Sequence, residues 1–367
     1  MKQNERARKS VERLRKVASG SADSHSGPKI RAIPRANLRM SRKTKTVRAK
    51  LIVNTGAGAV VKQASLIEQV TKTLMDHGLQ VDVALAHPIR HAERIARKAA
   101  KDGYDVVIGM GGDGTLGAVI RGIYGAKVHF GIIAAGTSND FARSLGIPED
   151  FNEQCALIAS GHTRKVDLAE LRTKRGGKFV FFMVTAIGLI ATVYPKLKNV
   201  PEGKYADVKD AVRLLLNFDS KAKVFLTLDD GSRMEVETPL VTITNTPLIG
   251  LKNLVEPDAS LEDGLLDVSV YPGFSKADVL AYFARTANER PASDERVERY
   301  RARKIKVETS PKLDIAAEGI VLGKGKAWIK ALPGALNVFA PVIGAGMEKP
   351  VEEVRAKQLE PAQVDGR

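Results

Sequence analysis

The sequence contains one cysteine and one tryptophan among 367 residues. A single cysteine, Cys155, excludes an intramolecular disulfide framework and is typical of a protein in a reducing, cytoplasmic compartment. Long apolar runs are also missing. Phe179 to Pro195 is the only uncharged candidate for a membrane span, and it is shorter than the ~20 residues that a spanning helix needs. We interpret it as a buried strand running into a turn. The first 30 residues lack an apolar stretch, so no secretory signal is expected.

Acidic residues are scarce at the N-terminus. Residues 1–50 hold 16 Lys and Arg against three Asp and Glu, so +13 of the formal net charge of +16 lies in this segment and the remaining body carries +3. A basic segment on a nearly neutral body suggests an arm for an anionic surface. We favour a membrane over a purely solubilising role, and nucleic acid is not expected. The arm, residues 1–46, is predicted to be disordered.

Strands and helices alternate in the first half of the ordered chain. Predicted strands are Val47–Val53, Leu79–Leu85, Asp105–Ile108 and Val128–Ile133, and predicted helices are Val60–His77, Ile89–Lys101, Leu116–Tyr124 and Asp150–Gly161. This alternation predicts an α/β domain with a parallel sheet over residues 47–164.

Strand-like segments dominate after residue 165. They are Val166–Leu171, Lys178–Ala186, Val224–Leu228, Met234–Thr244, Leu265–Tyr271, Lys304–Glu308, Lys326–Ala331 and Leu336–Phe339, with helices expected over Tyr205–Asn217 and Ser275–Asn288. The pattern predicts a second, mostly antiparallel domain over residues 165–341. A charged tail, residues 342–367, follows it.

The stretch from Val106 to Gly122 carries the first functional signal. Gly111-Gly112-Asp113-Gly114-Thr115 joins a predicted strand to a predicted helix. Glycines let an anion approach the main chain, and the free N–H groups of a helix N-terminus favour negative charge. An ordinary turn between a strand and a helix is the simpler interpretation. Asp113 favours phosphoryl transfer, because a carboxylate beside a phosphate requires a metal ion or a proton between them.

A second glycine-rich turn, Asn54-Thr55-Gly56-Ala57-Gly58, follows the first predicted strand. Both turns should open at the carboxyl edge of the sheet, where open α/β sheets bind ligands, so they could share one nucleotide. A third segment, Gly136-Thr137-Ser138-Asn139-Asp140, follows the strand that ends near Ile133. A simple helix N-cap at Asn139 or Asp140 is the alternative there.

Three segments taken together, GGDGT, GTSNDFARSLGIP and PDASLEDGLLDV, resemble the diacylglycerol kinase catalytic family, which includes soluble bacterial lipid kinases and the sphingosine kinases. The resemblance covers about residues 47–341. It implies a nucleotide-binding α/β domain followed by a β-sandwich-like lipid-substrate domain, with ATP and the lipid hydroxyl meeting in the cleft between them.

The resemblance also implies site residues. The ATP contacts would be Asn54, Thr55, Gly56, Ala57, Gly58, Gly111, Gly112, Asp113, Gly114, Thr115 and Thr137. A structural Mg²⁺ would be held by Ser260, Asp263 and the carbonyl of Leu265, whose oxygens suit a hard cation. A polar turn before a strand is the simpler interpretation of this loop.

Two carboxylates compete as general base. The soluble bacterial members carry a late Asp-Gly-Glu, which matches Ala316-Ala317-Glu318 here, whereas the sphingosine kinase branch favours the loop aspartate, Asp113. We predict Glu318 as the proton acceptor, and Asp113 with Asp140 as organisers of a magnesium–water network. The chain departs from the family pattern at Gly117-Ala118, where Asn-Glu is common, at Ala86, where threonine is common, and at Ala316.

These observations predict an ATP- and Mg²⁺-dependent lipid kinase, cytoplasmic and peripherally membrane-associated, that converts diacylglycerol to phosphatidic acid. A kinase whose acceptor is a sphingoid base or ceramide is the alternative. Two further functions stay open, namely a kinase for a soluble hydroxyl, as in NAD kinase, and a non-catalytic regulator that binds nucleotide or lipid. The oligomeric state is open, a homodimer included.

Overall fold

The computed structural model describes residues 46–54, 60–174, 177–197, 213, 215, 217–218, 222–229, 231–250, 252–286 and 293–342. The predicted arm, apart from residue 46, and the predicted tail, apart from residue 342, lie outside these ranges. So does most of the helix predicted over Tyr205–Asn217.

The first half is an α/β unit built as the alternation predicts. Its strands are β1 (Arg48–Asn54), β2 (Gln80–Ala86), β3 (Val106–Gly111) and β4 (His129–Ala134). Its helices are α1 (Val60–Asp76), α2 (Arg90–Lys101), α3 (Asp113–Ile123), α4 (Asp140–Ser144) and α5 (Phe151–Ala159). The strands pair in parallel in the order β2-β1-β3-β4, which confirms the expected parallel sheet. Strand β3 is apolar along its length because helices cover both faces of the sheet.

The second half is mostly antiparallel. Its strands are β5 (Thr163–Thr173), β6 (Lys178–Phe181), β7 (Val184–Gly188), β8 (Lys223–Thr227), β9 (Arg233–Glu237), β10 (Leu240–Thr244), β11 (Leu248–Ile249), β12 (Asn253–Leu254), β13 (Leu266–Val270), β14 (Glu298–Ala302), β15 (Lys304–Ser310), β16 (Asp314–Ala317), β17 (Ile320–Lys324) and β18 (Lys326–Phe339). Its helices are α6 (Leu189–Leu197) and α7 (Lys276–Thr286). The sheet β14-β13-β10-β7-β16-β17 packs through an apolar core onto the larger sheet, which confirms the sandwich-like arrangement.

The larger sheet runs through both halves of the molecule. Strand β18 pairs in parallel with β4 at Val338 and Phe130, and antiparallel with β5 and β15. The order β2-β1-β3-β4-β18-β15-β8-β9 is therefore continuous. Two separate strands were predicted here, over Lys326–Ala331 and Leu336–Phe339. They form one strand with an irregularity between Leu332 and Leu336, where Pro333 and Gly334 interrupt the pairing.

Three other predicted segments take a different form, and strands β11, β12, β14, β16 and β17 were not predicted. The strand expected over Lys178–Ala186 divides into β6 and β7, and the strand over Met234–Thr244 divides into β9 and β10. The end of the Phe179–Pro195 run is helix α6 rather than a turn. An apolar run of this length does not distinguish a buried strand from a buried helix. No helix within the described ranges has the length and apolar character needed to cross a membrane.

Candidate active site

Two glycine-rich loops cross at the carboxyl edge of the parallel sheet. Gly112 lies between β3 and α3, and a methyl group on its Cα would come within 3.1 Å of the Cα of Gly136, in the loop after β4. A methyl group on Gly111 would lie 2.7 Å from Oγ1 of Thr115. Glycine is required at this crossing because neither backbone leaves room for a Cβ atom. The loops after β3 and β4 therefore meet at this edge of the sheet, whereas most of the Asn54–Gly58 turn lies outside the described residues.

Asp113 connects the two loops through its carboxylate. Oδ2 accepts a hydrogen bond from the peptide N–H of Asp140 at 3.2 Å, and Oδ1 accepts one from Phe141 at 3.1 Å. The carboxylate thus caps the first turn of α4, where free N–H groups favour negative charge. Burial raises the pKa of Asp113, although the N–H groups of Phe141 and Asp140 act in the opposite direction.

Asp140 extends this connection into the second half of the chain. Its side chain is fully buried, and Oδ1 accepts the peptide N–H of Lys252 at 3.1 Å. Asn139, the residue before it, closes its own loop by accepting the N–H of Gly136 at 2.9 Å. The N-cap alternative for Asn139 is not realised, because its side chain makes no capping bond to α4. Asp113 takes that role instead.

Backbone strain is concentrated around these carboxylates. Within the described ranges, three residues other than glycine have a positive φ: Asn139 at 53°, Lys252 at 60° and Glu318 at 51°. Asn139 precedes Asp140, and Lys252 donates its N–H to Asp140. Left-handed conformations cost about 1 kcal/mol or more in such residues and tend to persist at functional sites. Their position marks this region as the candidate site.

Glu318 lies in a tight hairpin turn between β16 and β17. Ala317 pairs with Ile320, and the two turn residues, Glu318 and Gly319, both have positive φ. This is the pattern of a type I′ turn, in which Asn, Asp or Gly is usual at the position that Glu318 occupies. The turn places the carboxylate beside the start of β7.

Three peptide N–H groups converge on one oxygen of Glu318. Oε1 accepts from Phe182, Met183 and Val184 at 3.1, 2.9 and 3.3 Å. Burial raises the pKa of Glu318 to about 7, against the opposing effects of these N–H groups and of the positive charge of Arg121. A carboxylate with a pKa near neutrality can accept a proton at the pH of the cell and release it again.

A packed pair of aromatic rings joins Glu318 to Asp113. The Phe182 and Phe141 rings meet edge to face, with centroids 4.8 Å apart. The N–H of Phe182 binds Glu318, and the N–H of Phe141 binds Asp113. The two carboxylates that competed as general base therefore belong to one site.

The departure from the family pattern at Gly117 has a physical explanation. A methyl group on Gly117 would lie 2.7 Å from Cε1 of the Phe182 ring. The glycine allows α3 to pack against this ring, which helps to fix the N–H that binds Glu318. Ala316 is buried in β16 and pairs with Ala186 of β7. Its side chain packs in an apolar cluster.

Two residues near the site were not predicted. The first is Tyr194 in α6, whose pKa is raised mainly by burial. The negative charges of Asp140, Asp113 and Glu318 raise it further. Arg121 of α3 lies near enough to Glu318 to influence its pKa, and its guanidinium stacks 4.8 Å from the Phe179 ring centroid. Arg121 lies within the Val106–Gly122 stretch and Tyr194 lies in none of the three motif segments, and only the fold places them near the carboxylates.

The predicted nucleotide residues that the structure describes lie along the same edge of the sheet. Asn54 ends β1, and Val53 before it is in register with Met110, which precedes the Gly111 loop. Thr115 is buried in the first turn of α3, whereas Gly114 and Thr137 are exposed at the loop surface. Thr55, Gly56, Ala57 and Gly58 lie outside the described residues. The assignment of these residues to ATP stays a prediction.

The loop from Ser260 to Leu265 was predicted to hold a structural Mg²⁺. Oδ1 of Asp263 accepts the N–H of Leu265 at 2.9 Å, and Oδ2 forms a short ion pair with Arg301. A cation at this carboxylate would therefore compete with the guanidinium of Arg301. Within the described ranges, no three His, Cys, Asp or Glu side chains cluster at metal-binding distance. The ligand set of Ser260, Asp263 and Leu265 stays a prediction.

Asp113 and Asp140 fit a magnesium ion better. Mg²⁺ is usually bound by one or two carboxylates together with substrate phosphates and water, so a set of three protein ligands is not required. The two side chains are neighbours through the hydrogen bond between the N–H of Asp140 and Asp113. Both supply hard oxygen donors beside the glycine loops.

Two family models match the chain in succession. Residues 48–171 match the model described as the diacylglycerol kinase catalytic domain. Residues 196–340 match the model described as the YegS C-terminal NAD kinase beta sandwich-like domain. The first match contains the Asp113 and Asp140 loops, and the second contains Glu318.

Similar proteins carry the name diacylglycerol kinase. One from Mycobacterium tuberculosis (strain ATCC 25618 / H37Rv) is 27% identical over 291 residues, which cover 78% of this chain and 92% of that protein. One from Staphylococcus aureus (strain Newman) is 28% identical over 303 residues, which cover 80% and 92%. The crystal structure of a diacylglycerol kinase from Bacillus anthracis str. Sterne has the same fold, with a TM-score of 0.62 and 22% identity over 82% of this chain and 98% of that chain.

Proposed function

We propose that this chain, which belongs to the diacylglycerol kinase catalytic-domain family, is a lipid kinase that transfers the γ-phosphoryl group of ATP to the hydroxyl of a membrane lipid. Diacylglycerol is the first choice of acceptor, because it is the lipid in the names of the relatives. Sphingoid bases and ceramide are the alternative acceptors.

The observation that carries the proposal is the placement of Glu318. The carboxylate of Glu318, whose pKa is raised to about 7, is connected to the loops that hold Asp113 and Asp140 by the contact between the Phe182 and Phe141 rings. Phosphoryl transfer to an alcohol needs phosphate binding, charge neutralisation and a proton acceptor. The crossed glycine loops, the aspartate pair and Glu318 supply residues suited to these three tasks.

Each group has a defined part in the reaction. The loops at Gly112 and Gly136 offer backbone N–H groups to the phosphates. Asp113 and Asp140 would hold Mg²⁺, which when bound neutralises phosphate charge and orients the transferred group. Glu318 accepts the proton of the acceptor hydroxyl as the new O–P bond forms and the bond between the γ-phosphorus and the ADP oxygen breaks. The proton therefore ends on Glu318 and ADP leaves.

Glu318 is a better candidate for the general base than Asp113. Both oxygens of Asp113 accept peptide N–H groups that hold α4 in place, so the residue has a structural task in addition to any role with Mg²⁺. The carboxylate of Glu318 is buried at the turn, where Oε1 accepts three backbone N–H groups that hold the carboxylate in place. Because its pKa is raised to about 7, Glu318 can take up a proton near neutral pH at little cost in free energy.

This function requires a cytoplasmic enzyme that associates with a membrane, since the acceptor lies in a bilayer. The basic arm, residues 1–46, is the proposed contact with anionic lipid.

The experiment that tests the acceptor is a panel of detergent-dispersed diacylglycerol, ceramide and sphingoid base, with NAD as a soluble control, each supplied with labelled ATP and Mg²⁺. Labelled product from diacylglycerol supports the proposal, and labelled product from NAD alone contradicts it.

A further inference from the structure

Helix α6 holds a tyrosine at the junction of the candidate site. The helix follows β7, whose first residue, Val184, donates its N–H to Glu318. Thr192 anchors the helix to β16 by a 3.0 Å hydrogen bond from Oγ1 to Oδ2 of Asp314. The helix packs against both β16 and β17, the two strands that flank the Glu318 turn. Tyr194 is therefore fixed relative to the proposed base.

The hydroxyl of Tyr194 also lies beside the loop that contacts Asp140. A methyl group built on Gly250 would lie 3.6 Å from this hydroxyl oxygen. Two residues further on, the N–H of Lys252 binds Asp140. After burial itself, the negative charges of Asp140, Asp113 and Glu318 raise the pKa of Tyr194. The phenol is thus located within electrostatic reach of all three carboxylates and stays protonated.

Other tyrosines in the second half of the chain have protein partners for their hydroxyl groups. Tyr271 bonds Thr242 at 3.3 Å, Tyr282 accepts from Arg299 at 3.0 Å, and Tyr300 donates to Glu298 at 2.7 Å. Within the described residues, the hydroxyl of Tyr194 has no such hydrogen bond. The phenol of Tyr194 is therefore available to donate a hydrogen bond to water or to a ligand atom.

We propose that Tyr194 binds the acceptor lipid by donating a hydrogen bond to the oxygen that attacks the γ-phosphorus. The inference rests on the proposed lipid kinase function and assigns a residue to its acceptor. A hydroxyl oxygen carries one hydrogen and two lone pairs. Its hydrogen goes to Glu318, one lone pair forms the bond to phosphorus, and the second accepts from Tyr194. The phenol keeps its own proton throughout, so Glu318 remains the acceptor of the transferred proton.

The test is Tyr194→Phe in the full-length protein, with dioctanoylglycerol in mixed micelles as acceptor. The variant keeps the ring that packs in α6 and removes only the hydroxyl. We expect kcat/KM for the lipid to fall about tenfold, the loss of one hydrogen bond in the transition state, while KM for ATP and the rise in Tm with Mg-ATP stay unchanged. Tyr300→Phe, which removes a hydroxyl bonded to an exposed carboxylate, is the matched control and should retain the activity of the parent.

Two outcomes overturn the inference without touching the proposed function. If the parent is active and Tyr194→Phe has the same kcat/KM for the lipid, the hydroxyl does not bind the acceptor. If the rise in Tm with Mg-ATP is smaller in Tyr194→Phe than in the parent, the hydroxyl binds the nucleotide instead. A parent protein that phosphorylates none of the lipids would overturn the function and the inference together.

Discussion

The carboxylate of Asp113 accepts the peptide N–H of Asp140 at 3.2 Å, across a sequence separation of 27 residues. The bond joins the loop after β3 to the loop after β4. Because Asp140 in turn accepts the N–H of Lys252, one chain of hydrogen bonds runs from the parallel sheet to the second half of the molecule. Asp113 therefore combines a structural capping role with a place among the proposed magnesium ligands.

Asp113→Asn is expected to abolish lipid phosphorylation, with a loss above about tenfold, because an amide carries no charge and binds Mg²⁺ poorly. It should also lower the free energy of unfolding by about 1 kcal/mol, because the amide nitrogen cannot accept one of the two N–H groups that the carboxylate caps. Steady-state kinetics and thermal unfolding of the same preparation measure both effects. Turnover within about tenfold of the parent would show that Asp113 is not catalytic.

Glu318→Gln is expected to make the protein more stable above neutral pH. The folded-state pKa of Glu318 is raised from 4.5 to about 7. Between these two pH values the folded state binds more protons than the unfolded state, so stability falls as pH rises through this window. A glutamine Oε1 keeps the three backbone bonds and does not ionise, so the gain at pH 8 could reach about 3 kcal/mol.

Thermal unfolding of the Glu318→Gln variant and its parent between pH 4.5 and pH 8 measures this effect, and the gap should close at the acid end. Glu308→Gln is a control with the opposite sign, because Lys306 and Lys326 lower the pKa of Glu308 to about 2 and its charged form stabilises the fold. A Glu318→Gln protein that is less stable than its parent at pH 8 would contradict the burial argument.

The Asp263 loop allows a direct comparison between an ion pair and a metal ligand. Asp263→Asn should lower the free energy of unfolding by about 1 kcal/mol or less, because it removes a partly exposed ion pair. Arg301→Gln should lower it more, because it also removes the 3.1 Å ion pair with the buried Asp267. Each loss should be similar with and without Mg²⁺. Differential scanning calorimetry with Mg²⁺ and with a chelator is the measurement. Stabilisation by Mg²⁺ that is lost in Asp263→Asn but kept in Arg301→Gln would instead support the predicted cation site.

The basic arm lies outside the described residues, and its role is a prediction from charge. Deleting residues 1–46 should leave activity on short-chain, detergent-dispersed lipid nearly unchanged but sharply reduce binding to anionic vesicles. Binding by the full-length protein should weaken with salt, as the Debye length falls from about 10 Å at 0.1 M to about 3 Å at 1 M. Vesicle co-sedimentation of both proteins across a salt series is the measurement. Equal binding by the two proteins at every salt concentration would refute the proposed role of the arm.

Local sequence pattern predicted most of the α/β half, because most strands and helices there are bounded by turns with glycine or proline and have a clear period. It did not predict that β18 would join β4 to β15. Pairing between residues as distant as Phe130 and Val338 depends on the packing of the whole sheet rather than on any local signal. Helix α6 was missed for a related reason, since an apolar run such as Leu189–Val193 suits a buried strand as well as a buried helix.

The motifs located Asp113, Asp140 and Glu318 but not the contacts that set their chemistry. The three N–H groups on Glu318 come from residues 182–184, which belong to no motif. Gly117 departs from the family pattern, and the structure gives it a packing role against Phe182. Tyr194 could be identified only after α6 was placed beside the three carboxylates.

Glu318 and the Asp113–Asp140 loops are proposed to form one phosphoryl-transfer site. The most direct test is the transfer of labelled γ-phosphoryl from ATP to dispersed diacylglycerol by the parent and by Glu318→Gln, prepared and assayed side by side. We predict labelled phosphatidic acid from the parent and a kcat lower by about 10² or more in the variant, with KM for ATP unchanged. No labelled lipid from a folded parent, or a variant that turns over at nearly the parent's rate, would contradict this proposal.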